Sequence, residues 1–203
     1  MNATSTIPPA GFAEWWAENV TVLPGKTMAD WRALPEGTRA ELINGTLVVS
    51  PAPRVIHQVV VARFFHDLSR HVEEHGLGIV LPAPLDVALG GERGLQPDIV
   101  FIAQDRLHIL GEQEVEGAPD LVVEVLSPST GYYDATAKRL AYAQAGVREY
   151  WLADPGEQTV DVLTLDGDDF RPEARAVGRG LIGSRLLDGF EVEIANLFRW
   201  PGR

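Results

Sequence analysis

The apolar positions of this chain change period several times, and each change marks an element. From Val55 to His75, Val59, Ala62, Phe65 (or Phe64), Leu68 and Val72 recur at helical spacing, which predicts a long amphipathic helix ending at Gly76. Ahead of it, two short apolar runs within residues 39–50 flank Asn44-Gly45. That pair tolerates positive φ at both turn positions, so it predicts a hairpin, with Pro51 and Pro53 ending its second strand. After Gly76 the period shortens, and residues 78–81, 85–89, 97–103 and 120–126 read as extended segments. The last of these is almost wholly apolar, as expected of a strand covered on both faces.

Residues 127–130 read as a turn, 132–145 as a helix closed by Gly146, and 148–153 as a strand halted by Asp154-Pro155. Residues 159–165, 170–177 and 185–192 complete the chain as strands and connections. Near the start, residues 12–20 predict a short helix carrying Trp15 and Trp16, and Thr27 is placed to cap a helix over 28–34. We therefore expect a helical extension over residues 1–35 and a main domain over 36–203. The element order predicts a mixed α/β (α+β) domain, a mixed central sheet flanked by helices.

Composition narrows the class. At 203 residues the chain can bury one full core. Its 45% hydrophobic and 23% charged residues exclude a disordered or fibrous protein. The absence of cysteine removes disulfides and thiolate metal sites and fits a reducing compartment. No segment approaches the roughly 18 apolar residues needed to span a bilayer. Residues 1–10 carry neither a basic residue nor a signal-like apolar run, so the expectation is a cytoplasmic protein without a membrane partner. A formal net charge of −12 argues against a broad basic footprint for duplex DNA. Any nucleic-acid function must then rest on a local basic patch, on metal ions, or on a partner such as a second copy in a homodimer.

Two acids stand where packing alone does not require them. Asp98 heads the apolar run Ile99-Val100-Phe101-Ile102, and Glu124 interrupts a strand that otherwise reads as core. An ionised carboxylate in such a place is costly unless it is paired or binds a cation. On neighbouring strands facing one way, the two would offer oxygen ligands suited to Mg²⁺ or Mn²⁺. The same acids could instead pair with arginines or cap turns. Lys138 adds a cation, since Lys26 is the only other lysine among 17 Lys+Arg residues. In the helix after the Glu124 strand, its compact ammonium could polarise a phosphate or assist a metal-bound water. The plainer alternative is an exposed helix lysine.

The motifs Glu41-Leu-Ile-Asn-Gly, His57-Gln58, Gln96-Pro-Asp-Ile-Val-Phe and Pro119-Asp-Leu-Val-Val-Glu-Val-Leu-Ser-Pro-Ser-Thr together resemble the bacterial putative restriction endonuclease family of the PD-(D/E)xK superfamily. Asp134-x-x-x-Lys138-x-x-x-Tyr142 and Gly146-Val-Arg-Glu-Tyr-Trp-Leu-Ala-Asp-Pro155 continue the series, which runs in order from about Trp31 to Phe198. The resemblance implies a restriction-endonuclease-like fold and a Mg²⁺- or Mn²⁺-dependent endonuclease acting on DNA. It implies Asp98 and Glu124 as the paired catalytic acids, Glu41 as an additional metal-binding acid, and Lys138 as the catalytic lysine. The superfamily pattern places a lysine two residues after Glu124, where this chain has Leu126. The resemblance implies that the lysine has moved to the following helix, and Lys138 is the matching position.

Other residues carry weaker signals. His57 could contact a phosphate, carry a proton or serve the helix start. Gln58 and Gln96 could bind a nucleotide or hold the acids, and Ser127 could support the Glu124 carboxylate or the next helix. Ser129 and Thr130 have the same supporting reading, and Asp86 is a lesser metal candidate. Asp134 reads as a first-turn acid and Tyr142 as a packing residue. Of the five histidines only His71 and His75 stand at i, i+4, and no zinc site is expected. Two functions follow: a metal-dependent DNA phosphodiesterase, or a non-catalytic nuclease-like module for protein binding or self-association.

Overall fold

The computed structural model describes residues 20–127 and 134–200. The expected Trp15–Trp16 helix, most of the 127–130 turn and the helix start at Tyr132 lie outside the described residues. In chain order the first elements are β1 (Thr21–Pro24), α1 (Met28–Arg32), β2 (Ala40–Ile43), β3 (Thr46–Val49) and α2 (Val55–His75). There follow β4 (Gly78–Pro82), β5 (Val87–Ala88), β6 (Arg93–Leu95), β7 (Ile99–Ala103), a 3₁₀ segment (Gln104–Ile109), β8 (Val115–Glu116) and β9 (Leu121–Val125). A π-helical segment (Asp134–Lys138) leads into α3 (Arg139–Ala145), then β10 (Glu149–Asp154), β11 (Thr159–Asp166) and β12 (Asp169–Val177). β13 (Leu181–Gly183), β14 (Glu191–Glu193) and α4 (Ile194–Phe198) close the chain.

Among the described residues the strands form two six-stranded sheets and a short pair. The larger sheet has the order β12-β11-β10-β9-β7-β4, and the second β1-β3-β2-β6-β5-β8. β9 and β10 run parallel, while β7 crosses β9 antiparallel. Strand alternation then divides the apolar residues between two cores. Ile99, Phe101, Leu121, Val123, Val125, Trp151 and Ala153 pack on α2 and α4. Val100, Ile102, Val122, Tyr150 and Leu152 pack instead on α3 and on Val87, Leu95 and Val115 of the second sheet. Both faces of β9 are covered, which is why, Glu124 apart, it reads as an apolar run.

α2 has the expected bounds but a different phase. Its buried stripe is His57, Val60, Val61, Phe64, Leu68 and Val72, and Ala62 is exposed while Val59 and Phe65 are half-buried. Apolar residues at three successive positions, 59 to 61, allow more than one phase. Packing settles it, because the Phe64 ring meets Trp151 edge-on at 5.2 Å. The stripe extends down to His57, which is thereby aimed at the sheet.

Other differences have local causes. Within the segment expected as a helical extension, Thr21–Pro24 is a strand paired with β3. α1 does begin at a Thr27 capping box, in which hydrogen bonds from Thr27 hold the Asp30 carboxyl below its ordinary value. Its Trp31 is buried, donates Nε1–H to the Ala40 carbonyl at 2.8 Å, and lies so close to Gly94 that a Cβ there would come within 2.6 Å of the ring. The expected strand over 85–89 shortens to Val87–Ala88, which forms a hairpin with β6. Residues 185–192 do not form one strand, because the Glu149 carboxylate gathers Ser184 Oγ and the backbone N–H groups of Arg185 and Leu186 into a loop. No helix among the described residues is long and apolar enough to cross a membrane.

Candidate functional site

Register brings the two strand acids together. Ile99 pairs with Val123 and Val100 with Val122, so one further step sets Asp98 opposite Glu124. Alternation gives both acids the face shared with Val100 and Val122. Asp98 and Glu124 are only 5% and 2% exposed, so each must be met by donors or cations. Asp98 Oδ2 accepts the Val125 backbone N–H at 2.8 Å and lies 3.1 Å from His57 Nε2. His57 comes from the first turn of α2 at the end of its buried stripe, and its Nδ1 has no hydrogen-bond partner among the described residues.

The second sheet and α3 supply the other half. Glu41 stands in β2 opposite Val48. Lys138, 4% exposed, places Nζ 2.8 Å from Glu41 Oε1 and 3.2 Å from Glu124 Oε1. Tyr142, one helical turn beyond Lys138, donates its hydroxyl to the same Glu124 oxygen at 2.7 Å. Burial, and then the Glu124 charge, push the Tyr142 phenol well above its ordinary value. It therefore stays a donor throughout the neutral range.

Gln96 fixes Glu41 by its backbone, whose N–H donates to Glu41 Oε1 at 3.2 Å. Its side chain donates to the Thr38 carbonyl and to Asp86 Oδ1, and accepts from the Ala40 N–H. Gln96 thus ties β2 to the approach to Asp98, and Asp86 is its partner. Gln58 is exposed on α2 and Ser127 is half-buried after β9. Neither is among the described residues lining the cleft.

That cleft, about 30 Å³, is bounded by the three acids, Lys138, His57 and Gln96, with Arg39, Ser50 and Val125. Such a space admits one or two water-sized groups and no nucleotide, so a larger ligand would approach over its mouth. Arg39 is exposed and Ser50 half-buried, and the Ser50 N–H bonds the Arg39 carbonyl at 3.0 Å. Sequence reasoning singled out neither. Polar residues at strand ends are too common to stand out.

Among the described residues no group of three or more His, Asp or Glu is arranged as a metal-holding cluster. Lys138 lies between two of the three acids. The donor set is nevertheless carboxylate oxygen, the chemistry of Mg²⁺ or Mn²⁺. Mg²⁺ commonly takes one or two protein carboxylates and keeps several waters. Asp98 and Glu124, adjacent at the cleft, fit that requirement.

Among curated proteins, none matches the chain. The crystal structure of a putative nuclease belonging to DUF820 from Anabaena variabilis ATCC 29413 matches with a TM-score of 0.70 and 23% identity, over 85% of this chain and 97% of that one. At this identity the likeness concerns the fold. The family model Uma2, putative restriction endonuclease, matches residues 27–195, from the α1 cap to the start of α4. This chain belongs to that family.

Proposed function

We propose that this protein is a metal-dependent DNA endonuclease with a PD-(D/E)xK-type site built from Asp98, Glu124, Glu41 and Lys138. The observation that carries the reading is the facing of Asp98 and Glu124 across β7 and β9, with the Lys138 amine 3.2 Å from Glu124. A divalent cation held by Asp98 and Glu124, with Glu41 beside them, would polarise the phosphoryl oxygen and lower the pKa of a water. The residues themselves orient and neutralise. Val125 and His57 both contact Asp98 Oδ2, so Oδ1 is the oxygen that would face a cation. Tyr142 fixes the rotamer of Glu124. Lys138 offers an ammonium to the charge that grows on phosphorus-bound oxygens as water attacks in line and the P–O ester bond breaks.

The lysine arrives by a different route from the superfamily pattern. At Leu126 the backbone N–H bonds the Ala153 carbonyl at 2.7 Å and the side chain packs in the α3-side core. The amine comes instead from the segment entering α3.

Purified protein with Mg²⁺ or Mn²⁺ should nick plasmid DNA, and Asp98→Asn and Lys138→Met should each lose at least ~10²-fold in rate. Equal nicking by the variants overturns the proposal. The net charge of −12 favours a second reading, a non-catalytic module for protein binding or self-association. Calorimetry with Mn²⁺ separates the two: heat abolished by Asp98→Asn supports the nuclease, and no heat from the wild type supports the module. Basic surface from a second copy of the chain would ease DNA binding, and sedimentation with and without DNA tests that.

A further inference from the structure

The Lys138 ammonium stands where the site's own acids would otherwise face one another. It contacts Glu41 and Glu124 at 2.8 and 3.2 Å in a buried setting. Carboxylates that close demand a cation between them, and here the chain provides its own. Glu124 is also an acid that the proposed function gives to a divalent ion. An ammonium and a dication drawn to one carboxylate repel each other strongly at such distances.

The backbone gives the lysine a way to yield. Lys138 ends the π-helical segment Asp134–Lys138, a locally widened turn, while α3 beyond it is held in the core by Ala141, Tyr142 and Ala143. A change from π to α geometry at this boundary would shift the amine while the α3 core contacts stay in place. Glu41 remains as its second anchor.

We infer that Lys138 is a built-in counter-cation of Glu124, displaced when a divalent ion binds and released toward a phosphate only afterwards. The inference rests on the reading of this site as a metal centre and adds to it an order, with metal binding before productive engagement of DNA.

Two measurements test it. Titration with Mn²⁺ followed by calorimetry compares the wild type with Lys138→Met, which keeps the volume and removes the charge. The variant should bind the ion about tenfold more tightly. Equal or weaker binding by the variant, with clear binding by the wild type, overturns the inference and leaves the metal reading intact. No heat from either protein overturns both. The second measurement needs no variant, because Lys26 and Lys138 are the only lysines. Acetylation of the wild type, read by mass spectrometry, gives the labelling of Lys138 relative to Lys26. Adding Mg²⁺ should raise that ratio several-fold, and an unchanged or lower ratio overturns the inference even if Lys138→Met does not fold.

Discussion

Tyr142 donates its hydroxyl to Glu124 Oε1 at 2.7 Å, the same oxygen that Lys138 reaches from one turn earlier. The pair fixes Glu124 from one helix face, so Tyr142 acts as a positioning residue. Tyr142→Phe keeps the ring packing and removes one hydrogen bond to a buried carboxylate. A loss of about 1.5–3 kcal/mol in urea unfolding is expected at neutral pH.

The same phenol gives a pH signature. Its value in the folded protein is raised well above the ordinary 10.0, chiefly by burial. Below pH 10 it is protonated in both states and its contribution is intact. Above pH 10 the unfolded chain ionises first, so stability falls as pH rises further. Unfolding curves between about pH 9 and pH 11 should show wild type losing more stability than Tyr142→Phe. Parallel losses would refute this.

Removing the Lys138 amine leaves buried carboxylates without their cation. Lys138→Ala should cost about 3–5 kcal/mol at neutral pH. Adding Glu41→Gln should recover part of that loss, because one of the stranded charges disappears. Denaturation of the single and double variants in a double-mutant cycle reads the coupling.

His57 contacts Asp98 at 3.1 Å from the first turn of α2. On the proposed reading of Asp98 as a metal ligand, His57→Ala should weaken Mn²⁺ binding about tenfold while leaving α2 in place, because it removes a contact that orients that carboxylate. Calorimetry measures the affinity, and circular dichroism checks the helix.

Glu149 provides a contrast outside the cleft. This carboxylate, 1% exposed, accepts from Trp151 Nε1, Ser184 Oγ and the Arg185 and Leu186 N–H groups. Glu149→Gln sets an amide donor against this ring of donors and should destabilise the protein by about 1.5–3 kcal/mol without changing Mn²⁺ affinity. A changed affinity would mean that the C-terminal loop communicates with the cleft.

Some of this was plain in the sequence. Asn44 and Gly45 adopt φ of 49° and 77°, the turn their pairing announces. The ends of α2 are marked by the prolines before it and Gly76 after it. Asp98 and Glu124 stand out because a charge inside an apolar strand needs a reason. The phase of α2 did not, because both neighbouring phases are apolar. The hydroxyl of Tyr142 was equally silent, as an aromatic on an apolar helix face reads as packing until its partner is seen. β1 depends on pairing with β3, and the loop at 184–186 depends on an acid some 35 residues earlier. Local pattern carries neither. The resemblance set Lys138 at the site, but its double contact with Glu41 and Glu124, which joins a hairpin, a strand and a helix, is seen only in the assembled fold.

The alternation along β9 has a consequence for failure. Its odd positions fill the α2 core, and of its even positions Val122 packs while Glu124 meets the cleft. A slip by one residue would drive the acid into hydrocarbon beside Phe64 and turn a valine toward the cleft. A chain mispaired in this way loses the facing of Asp98 and Glu124 altogether, so an error in assembly erases the site instead of distorting it.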